Sequence, residues 1–95
     1  GHGSSYSIWT TPTGSTTNTE RMRIDQNGNV GIGVTLPNAN AILDVTSTTK
    51  AFMPPRMTTA QKTAIASPTA GMVVYDSTLA KLCIYTTAWE TITSV

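Results

Sequence analysis

One fifteen-residue stretch, Glu20 to Val34, constrains the fold of this chain more than any other part of the sequence. Apolar residues alternate with other residues on both sides of Asn27-Gly28, and they are Met22, Ile24, Val30, Ile32 and Val34. This alternation predicts two short strands, each with one apolar face. Asn27-Gly28 between them favours a two-residue type I′ turn, since both residues tolerate positive φ. An isolated hairpin of this size is marginally stable in water, so another surface must cover its apolar face.

Length and charge exclude several classes of protein. The chain has 95 residues, of which 12% are charged, and a net charge of +1. This composition predicts one small domain, or two very small ones, without an electrostatic bias toward a partner. The six lysines and arginines are scattered along the sequence, which argues against nucleic-acid binding. No apolar run approaches the roughly 20 residues of a membrane span, so no membrane insertion is expected.

Few residues offer chemistry. Residues 1–4 are interpreted as the remnant of a cleaved expression tag, and the only histidine, His2, lies within it. Cys83 is the single cysteine and cannot form an internal disulfide, so it is predicted to be a packed thiol. The five acids are widely spaced and indicate no carboxylate pair. We therefore expect no catalytic, metal or cofactor site.

Further short elements are expected on both sides of a polar junction at residues 47–50. A short strand near Tyr6 to Trp9 and another over Ala41–Thr46 complete the first half. In the second half, Pro54 and Pro55 predict an extended strap that cannot enter the middle of a sheet. Strands and one short helix follow: a one- or two-turn helix over 58–65 capped by Thr58 or Thr59, and a three-stranded meander over 72–75, 81–86 and 89–93.

Two patterns indicate close packing. Gly31 and Gly33 do not fit a phosphate-binding loop, because no helix follows them, and they are instead predicted to mark a place where another backbone approaches closely. The first two strands of the meander carry apolar residues on both faces, which implies a partner surface in so small a module. A chain with such a thin apolar inventory buries too little surface as a monomer, and this favours an oligomer.

Two parts of the sequence resemble segments of a known class of proteins. The segment Arg21–Pro37, followed by Ala41–Val45, resembles a repeat-like element of bacteriophage tail fibre and tail spike proteins, related large-virus fibres and surface adhesins. The second half, through Phe52–Lys62, Pro68–Asp76 and Trp89-Glu90, is similar to a module that often follows it. Members often carry a peptidase or chaperone segment with a Ser-Lys pair, but no segment here matches one, so self-cleavage is not expected.

The resemblance implies an all-β fold within an intertwined homotrimer. Residues 5–50 would form a β-prism-like stem and residues 51–95 a small head, with Phe52–Met57 strapping the two together. Gly31 and Gly33 would allow close approach in the stem. Six side chains would face the trimer axis: Met22, Ile24, Val30, Ile32, Leu43 and Val45.

The same resemblance implies a virion protein exposed outside the cell that contributes to host attachment. Three rigidly held copies would combine weak contacts with a cell-surface glycan or protein. Aromatic rings supply contact area at low entropic cost, and the predicted ligand surface comprises Trp89, Tyr85 and Asp76. Two alternatives remain open, namely a purely structural trimerisation clamp or connector, and the tip of a membrane-piercing spike.

Overall fold

The computed structural model describes residues 3–93, and the first two residues of the predicted tag remnant, including His2, lie outside that range. The chain divides into two compact units, Gly1–Ala51 and Phe52–Val95. Each unit contains one four-stranded sheet. The fold is mostly β with one short helix, as predicted. The elements are β1 (Tyr6–Thr10), β2 (Thr19–Ile24), β3 (Val30–Ile32), β4 (Leu43–Val45), β5 (Arg56–Met57), α1 (Thr59–Thr63), β6 (Val73–Asp76), β7 (Lys81–Tyr85) and β8 (Trp89–Thr91).

Sheet 1, in the first unit, has the strand order β1-β2-β3-β4. β2 pairs antiparallel with both β1 and β3, whereas β4 pairs parallel with β3. A β-bulge between Ile8 and Trp9 shifts the register of β1 against β2, so that Ile8 lies opposite Met22 and Trp9 opposite Glu20. Because of this shift, Glu20 joins the face of the sheet that carries Arg23, to which it is ion-paired.

The hairpin between β2 and β3 forms as predicted, but its predicted type I′ turn is wrong. Gly28 has a φ of +84°, while Asn27 keeps a negative φ. The Gly28 N–H donates to the Asp25 carbonyl at 3.0 Å, and the Asp25 N–H donates to the Asn29 carbonyl at 2.9 Å. These bonds describe a three-residue loop in which a turn is followed by a left-handed glycine. The Asp25 carboxylate selects this loop, since its Oδ1 accepts from the Asn27 and Asn29 N–H groups at 2.9 Å.

Backbone does approach closely at Gly31 and Gly33, and it belongs to the same chain. A Cβ at Gly31 would lie 2.7 Å from the carbonyl oxygen of Val34 and 2.8 Å from Cγ of Pro37. Gly33 has a φ of +76°, and a Cβ there would clash with the carbonyl oxygen of Thr46. Gly31 therefore allows the segment after β3 to fold back over the sheet, and Gly33 allows the segment after β4 to pass close to the end of β3.

Sheet 2, in the second unit, has the strand order β5-β6-β7-β8. The predicted meander is confirmed as β6, β7 and β8, which pair antiparallel. The strap enters the sheet only at its edge, where β5 pairs parallel with β6 over two residues. The carbonyl of Pro55 accepts a hydrogen bond from the Tyr75 N–H at 2.8 Å. Proline permits this bond because it lacks a backbone N–H but keeps its carbonyl as an acceptor.

Helix α1 begins at the predicted cap. The Thr58 hydroxyl accepts from the Gln61 N–H, and the Gln61 side chain accepts from the Thr58 N–H, which completes a capping box. The helix ends at Thr63, so the shorter of the two predicted lengths, one turn, is confirmed. Its buried residue is Lys62, whereas Ala60 and Ala64 are exposed.

Candidate trimerisation surface

One face of sheet 1 is apolar across all four strands. The strand register places Ile8, Met22, Ile32 and Val45 in one row across the sheet. The same three strand pairings place Tyr6, Ile24, Val30 and Leu43 in a second row. Side chains directly opposite each other in paired strands lie on the same face. The eight residues therefore form one continuous surface, which we call the sheet 1 apolar face.

No layer formed by the described residues of the first unit covers the sheet 1 apolar face. Tyr6 is 81% exposed, Ile8 57%, and Leu43 50%, while Met22 and Val30 are half-buried. The six residues predicted to face a trimer axis all belong to this face. The prediction missed Tyr6 and Ile8, because β1 pairs with β2 across an eight-residue loop, residues 11–18, and no local pattern reports that pairing.

The opposite face of sheet 1 is polar. Arg23 and Glu20 form an ion pair with Nε to Oε1 at 2.6 Å, and the Ser7 hydroxyl donates to the same carboxylate at 2.8 Å. The hydrogen bond from Arg23, together with that from Ser7, lowers the pKa of Glu20 below its ordinary value. Trp9 lies on this face and is 52% exposed. These contacts fix the strand register and do not form a site with reactive groups.

Sheet 2 has one covered face, which we call the inner face. Lys62 of α1 reaches over it to the Asp76 carboxylate, with Nζ to Oδ2 at 2.8 Å, and lies 3.6 Å from the Cys83 sulfur. Asp76 and Cys83 are fully buried, and Lys62 is 4% exposed. Cys83 is thus a packed thiol, as predicted. Val74 completes the buried side chains of the inner face within the described part of the chain.

The buried ion pair is satisfied on all sides. Burial by itself would raise the pKa of Asp76, but hydrogen bonds from Lys62, the Leu79 N–H and the Thr59 hydroxyl hold it well below its usual range. The hydrogen bond to Asp76 raises the pKa of Lys62, against the opposing effect of burial. Both groups therefore stay charged at neutral pH, and the pair is a structural one.

Asp76 is a correction to the predicted ligand surface. Its side chain is fully buried and committed to Lys62, Thr59 and the turn at residues 77–80, so it cannot contact an external ligand. Tyr85 and Trp89 are half-buried on the inner face, with ring centroids 5.3 Å apart in an edge-to-face arrangement. Lys62 Nζ lies 5.8 Å from the Trp89 ring centroid. Ligand contact by Tyr85 and Trp89 remains a prediction.

Other kinds of site receive no support from the described residues. No group of three or more potential metal ligands comes together within residues 3–93. None of the helices described there combines the length and apolar character needed to cross a membrane. The feature of these residues that still needs a partner is therefore the exposed apolar surface of the sheets.

Comparison with known proteins identifies the family of the chain. A family model described as the phage tail-like trimerisation region matches residues 31–95, which is more than two thirds of the chain. The chain belongs to this family. No curated protein and no solved structure matches the chain at a significant level. As a phage tail-like trimerisation region, the chain is a structural module that supports homotrimer formation.

The limits of the match divide the molecule unevenly. The trimerisation region contains the end of β3, all of β4 and the whole second unit, whereas β1 and β2 precede it. Ile32, Leu43 and Val45 of the sheet 1 apolar face lie inside the matched residues. Met22, Ile24 and Val30 lie before them. Surfaces of the second unit therefore belong to any account of how this trimerisation region associates.

Proposed function

We propose that three copies of this chain associate through the sheet 1 apolar face and thereby hold together the subunits of a phage tail fibre or spike. The observation that supports this is the uncovered face of eight apolar side chains in register across four strands. Large exposed apolar patches mark association surfaces in soluble proteins. Membership of the trimerisation family favours two further copies of the same chain as the covering surface.

The magnitude of the available apolar burial is consistent with this proposal. Burying the exposed half of a Leu, Ile or Val side chain contributes about 1 kcal/mol, so the eight side chains contribute on the order of 8 kcal/mol per copy. Forming a trimer takes two association steps, each of which costs roughly 4–15 kcal/mol in lost translational and rotational freedom, so about 24 kcal/mol from three copies stands against roughly 8–30 kcal/mol. Sheet 1 alone therefore comes close to balancing the cost of assembly, and additional contacts elsewhere in the chain would make the trimer stable.

A matched pair of variants tests the proposal. Leu43→Glu places a charge on the sheet 1 apolar face, while Leu36→Glu makes the same change at an 81% exposed residue of the loop after β3. We expect light scattering to give a trimer mass for the wild type and Leu36→Glu, and a monomer mass for Leu43→Glu. Circular dichroism of Leu43→Glu should match the wild type, because its side chain is already half-exposed. A trimer mass for a folded Leu43→Glu variant would refute the sheet 1 apolar face as the contact.

Host attachment is the second candidate function, and exposed Trp9 favours it. Its ring lies on the polar face of sheet 1, opposite the apolar face that would be covered in the trimer, and is 52% exposed. Three such rings on one virion fibre would combine weak contacts with a glycan or protein of the cell surface. We expect Trp9→Ala to keep the trimer mass and to lower binding to host cells at least about tenfold. Unchanged cell binding would favour the clamp or connector function alone.

A further inference from the structure

The second face of sheet 2, which we call the outer face, has no covering element among residues 52–93. Strand register and side-chain alternation assign to it Arg56 of β5, Val73 and Tyr75 of β6, Leu82 and Ile84 of β7, Glu90 of β8 and Ile92 just beyond it. Its central residues are apolar. Helix α1 covers the other face, so the outer face remains available.

A groove marks one edge of the outer face. The strap crosses this side of the sheet and leaves a groove of about 370 Å³, lined by Phe52, Met53, Pro54, Arg56, Tyr75 and Leu82. Phe52 and Met53 are 68% and 62% exposed. The groove is therefore an apolar depression with one positive charge, at the β5 edge of the sheet.

The opposite edge of the same face carries the complementary features. Ile92 is 52% exposed and its N–H donates to the Leu82 carbonyl, which places it beside β7 at the β8 edge. Glu90 is exposed on the same side. Residues 52–93 contain two acids, Asp76 and Glu90, and Asp76 is fully buried. Glu90 is thus the acid of this unit that a second molecule can reach.

Arg56 and Glu90 cannot pair within one copy. They lie on the first and last strands of a four-stranded sheet, and three inter-strand spacings separate them by about 14 Å, with apolar side chains between. Neither residue belongs to an ion pair within the described residues. Opposite charges are therefore held at opposite edges of one apolar face.

This polarity fits a ring. A closed threefold assembly uses a heterologous contact, in which two different patches of the same chain meet around the axis. We propose that the β8 edge of one copy docks on the β5 edge of the next, with Ile92 over the groove and Glu90 against Arg56. The proposal rests on the trimer of the proposed function and adds a second interface to it. The occupant of the groove is a second copy of this chain, because its own opposite edge supplies both the apolar side chain and the complementary charge.

The match to the trimerisation family supports this occupant independently. The matched residues contain the entire second unit, including both edges of sheet 2, whereas two strands of sheet 1 fall outside them. If the second unit made no contact between copies, its place in the matched trimerisation region would have no explanation. The outer face is the part of that unit with apolar surface still to cover.

Charge reversal in the full chain tests the docking. Arg56→Glu and Glu90→Arg each place like charges together in the proposed contact, and the double variant restores an opposite pair in the reversed order. We expect each single variant to raise the protein concentration at which half the trimer dissociates at least about tenfold, and the double variant to return it to within about threefold of the wild type. Lys81→Glu, an equal charge change at an exposed residue outside the outer face, should leave this concentration unchanged. Sedimentation velocity over a dilution series measures this dissociation concentration for the wild type and the four variants.

The outcomes separate the two proposals. A wild-type chain that stays monomeric at every concentration refutes the trimer itself. A trimeric wild type whose single variants behave like Lys81→Glu refutes the docking and leaves the trimer standing. A double variant as weak as the two single changes combined also refutes it, because rescue requires that the two charges meet between copies. Circular dichroism of each variant confirms that sheet 2 is folded, as expected for changes at exposed side chains.

Discussion

At the scale of single residues, the charged pair of Lys62 and Asp76 is the least expected feature of the molecule. Charged side chains are rarely buried unless paired, and here both lie in the small interior of the second unit with Cys83 and Val74. Asp76 also organises the turn after β6, since its Oδ1 accepts from the Thr78 and Leu79 N–H groups at 2.9 Å. One carboxylate therefore joins the helix, the sheet and a turn.

Removing one partner of this pair should destabilise the second unit strongly. Lys62→Met leaves Asp76 buried without its counter-charge, and we expect the melting temperature to fall by about 10 °C or more. The double variant Lys62→Met/Asp76→Asn removes both charges while Asn retains an oxygen for the turn, so it should recover at least about half of that loss. Thermal melts followed by circular dichroism measure both. A double variant less stable than Lys62→Met would contradict this account of the pair.

The same melts predict the pH range of stability. The pKa of Asp76 is lowered by folding, so its contribution is present above the ordinary value of about 4 and is lost as pH falls through the folded value. The pKa of Lys62 is raised, so its contribution is complete below about pH 10 and is lost only above that. The wild type should therefore keep its melting temperature from about pH 5 to pH 9 and lose stability toward pH 3. The double variant should lose less over the acidic range.

Sequence reasoning found Cys83 and missed Lys62 and Asp76 for one physical reason. A cysteine within an apolar strand is buried by its neighbours, which the local pattern shows. A buried lysine depends on a carboxylate fourteen residues later in the chain, and no periodicity reports that distance. For the same reason the sequence predicts Asp76, next to a turn, on a ligand surface, although its oxygens bind Lys62, Thr59 and the turn.

At the scale of elements, glycines in the left-handed region set two connections of sheet 1. These are the hairpin from β2 to β3 and the crossover from β3 to β4. Gly28 closes the loop between β2 and β3, and Gly33 turns the chain away after β3. The two differ in their surroundings. A Cβ at Gly28 would meet nothing within 4 Å, whereas one at Gly33 would clash with the Thr46 carbonyl of the segment after β4.

This difference gives a matched prediction. Gly28→Ala should cost about 1 kcal/mol of unfolding free energy, because only the backbone conformation is strained. Gly33→Ala should cost at least about twice as much, since the same strain is joined by displacement of β4 from β3. Chemical denaturation at one fixed protein concentration compares the two. Equal losses would show that the contact between Gly33 and Thr46 does not hold the parallel pair together.

The elements themselves were largely predictable, and their connections were less so. Alternation located the strands of the hairpin and of the meander, and Thr58 marked the start of the helix. The predicted turn type is wrong because the Asp25 carboxylate accepts two backbone N–H groups and thereby favours a longer loop than Asn27-Gly28 indicates. The parallel pairing of β4 with β3 has no sequence signature of its own.

At the scale of the whole molecule, both units present a sheet with one uncovered apolar face. The sequence indicated that this chain needs a partner surface, and its resemblance to phage fibres implied that the surface is another copy. The match to the phage tail-like trimerisation region supports that reading for residues 31–95. Six of the eight residues of the sheet 1 apolar face were predictable, whereas Tyr6, Ile8 and the outer face of sheet 2 depend on strand pairing that becomes visible only in the fold.

The most direct test of the central claim is the solution mass of the chain, measured by light scattering over a range of concentrations. The account predicts about three times the chain mass of 10.1 kDa, with dissociation only on strong dilution. A stable monomer at concentrations where the second unit is folded would contradict it, because the uncovered faces of both sheets would then have no second and third copy to cover them.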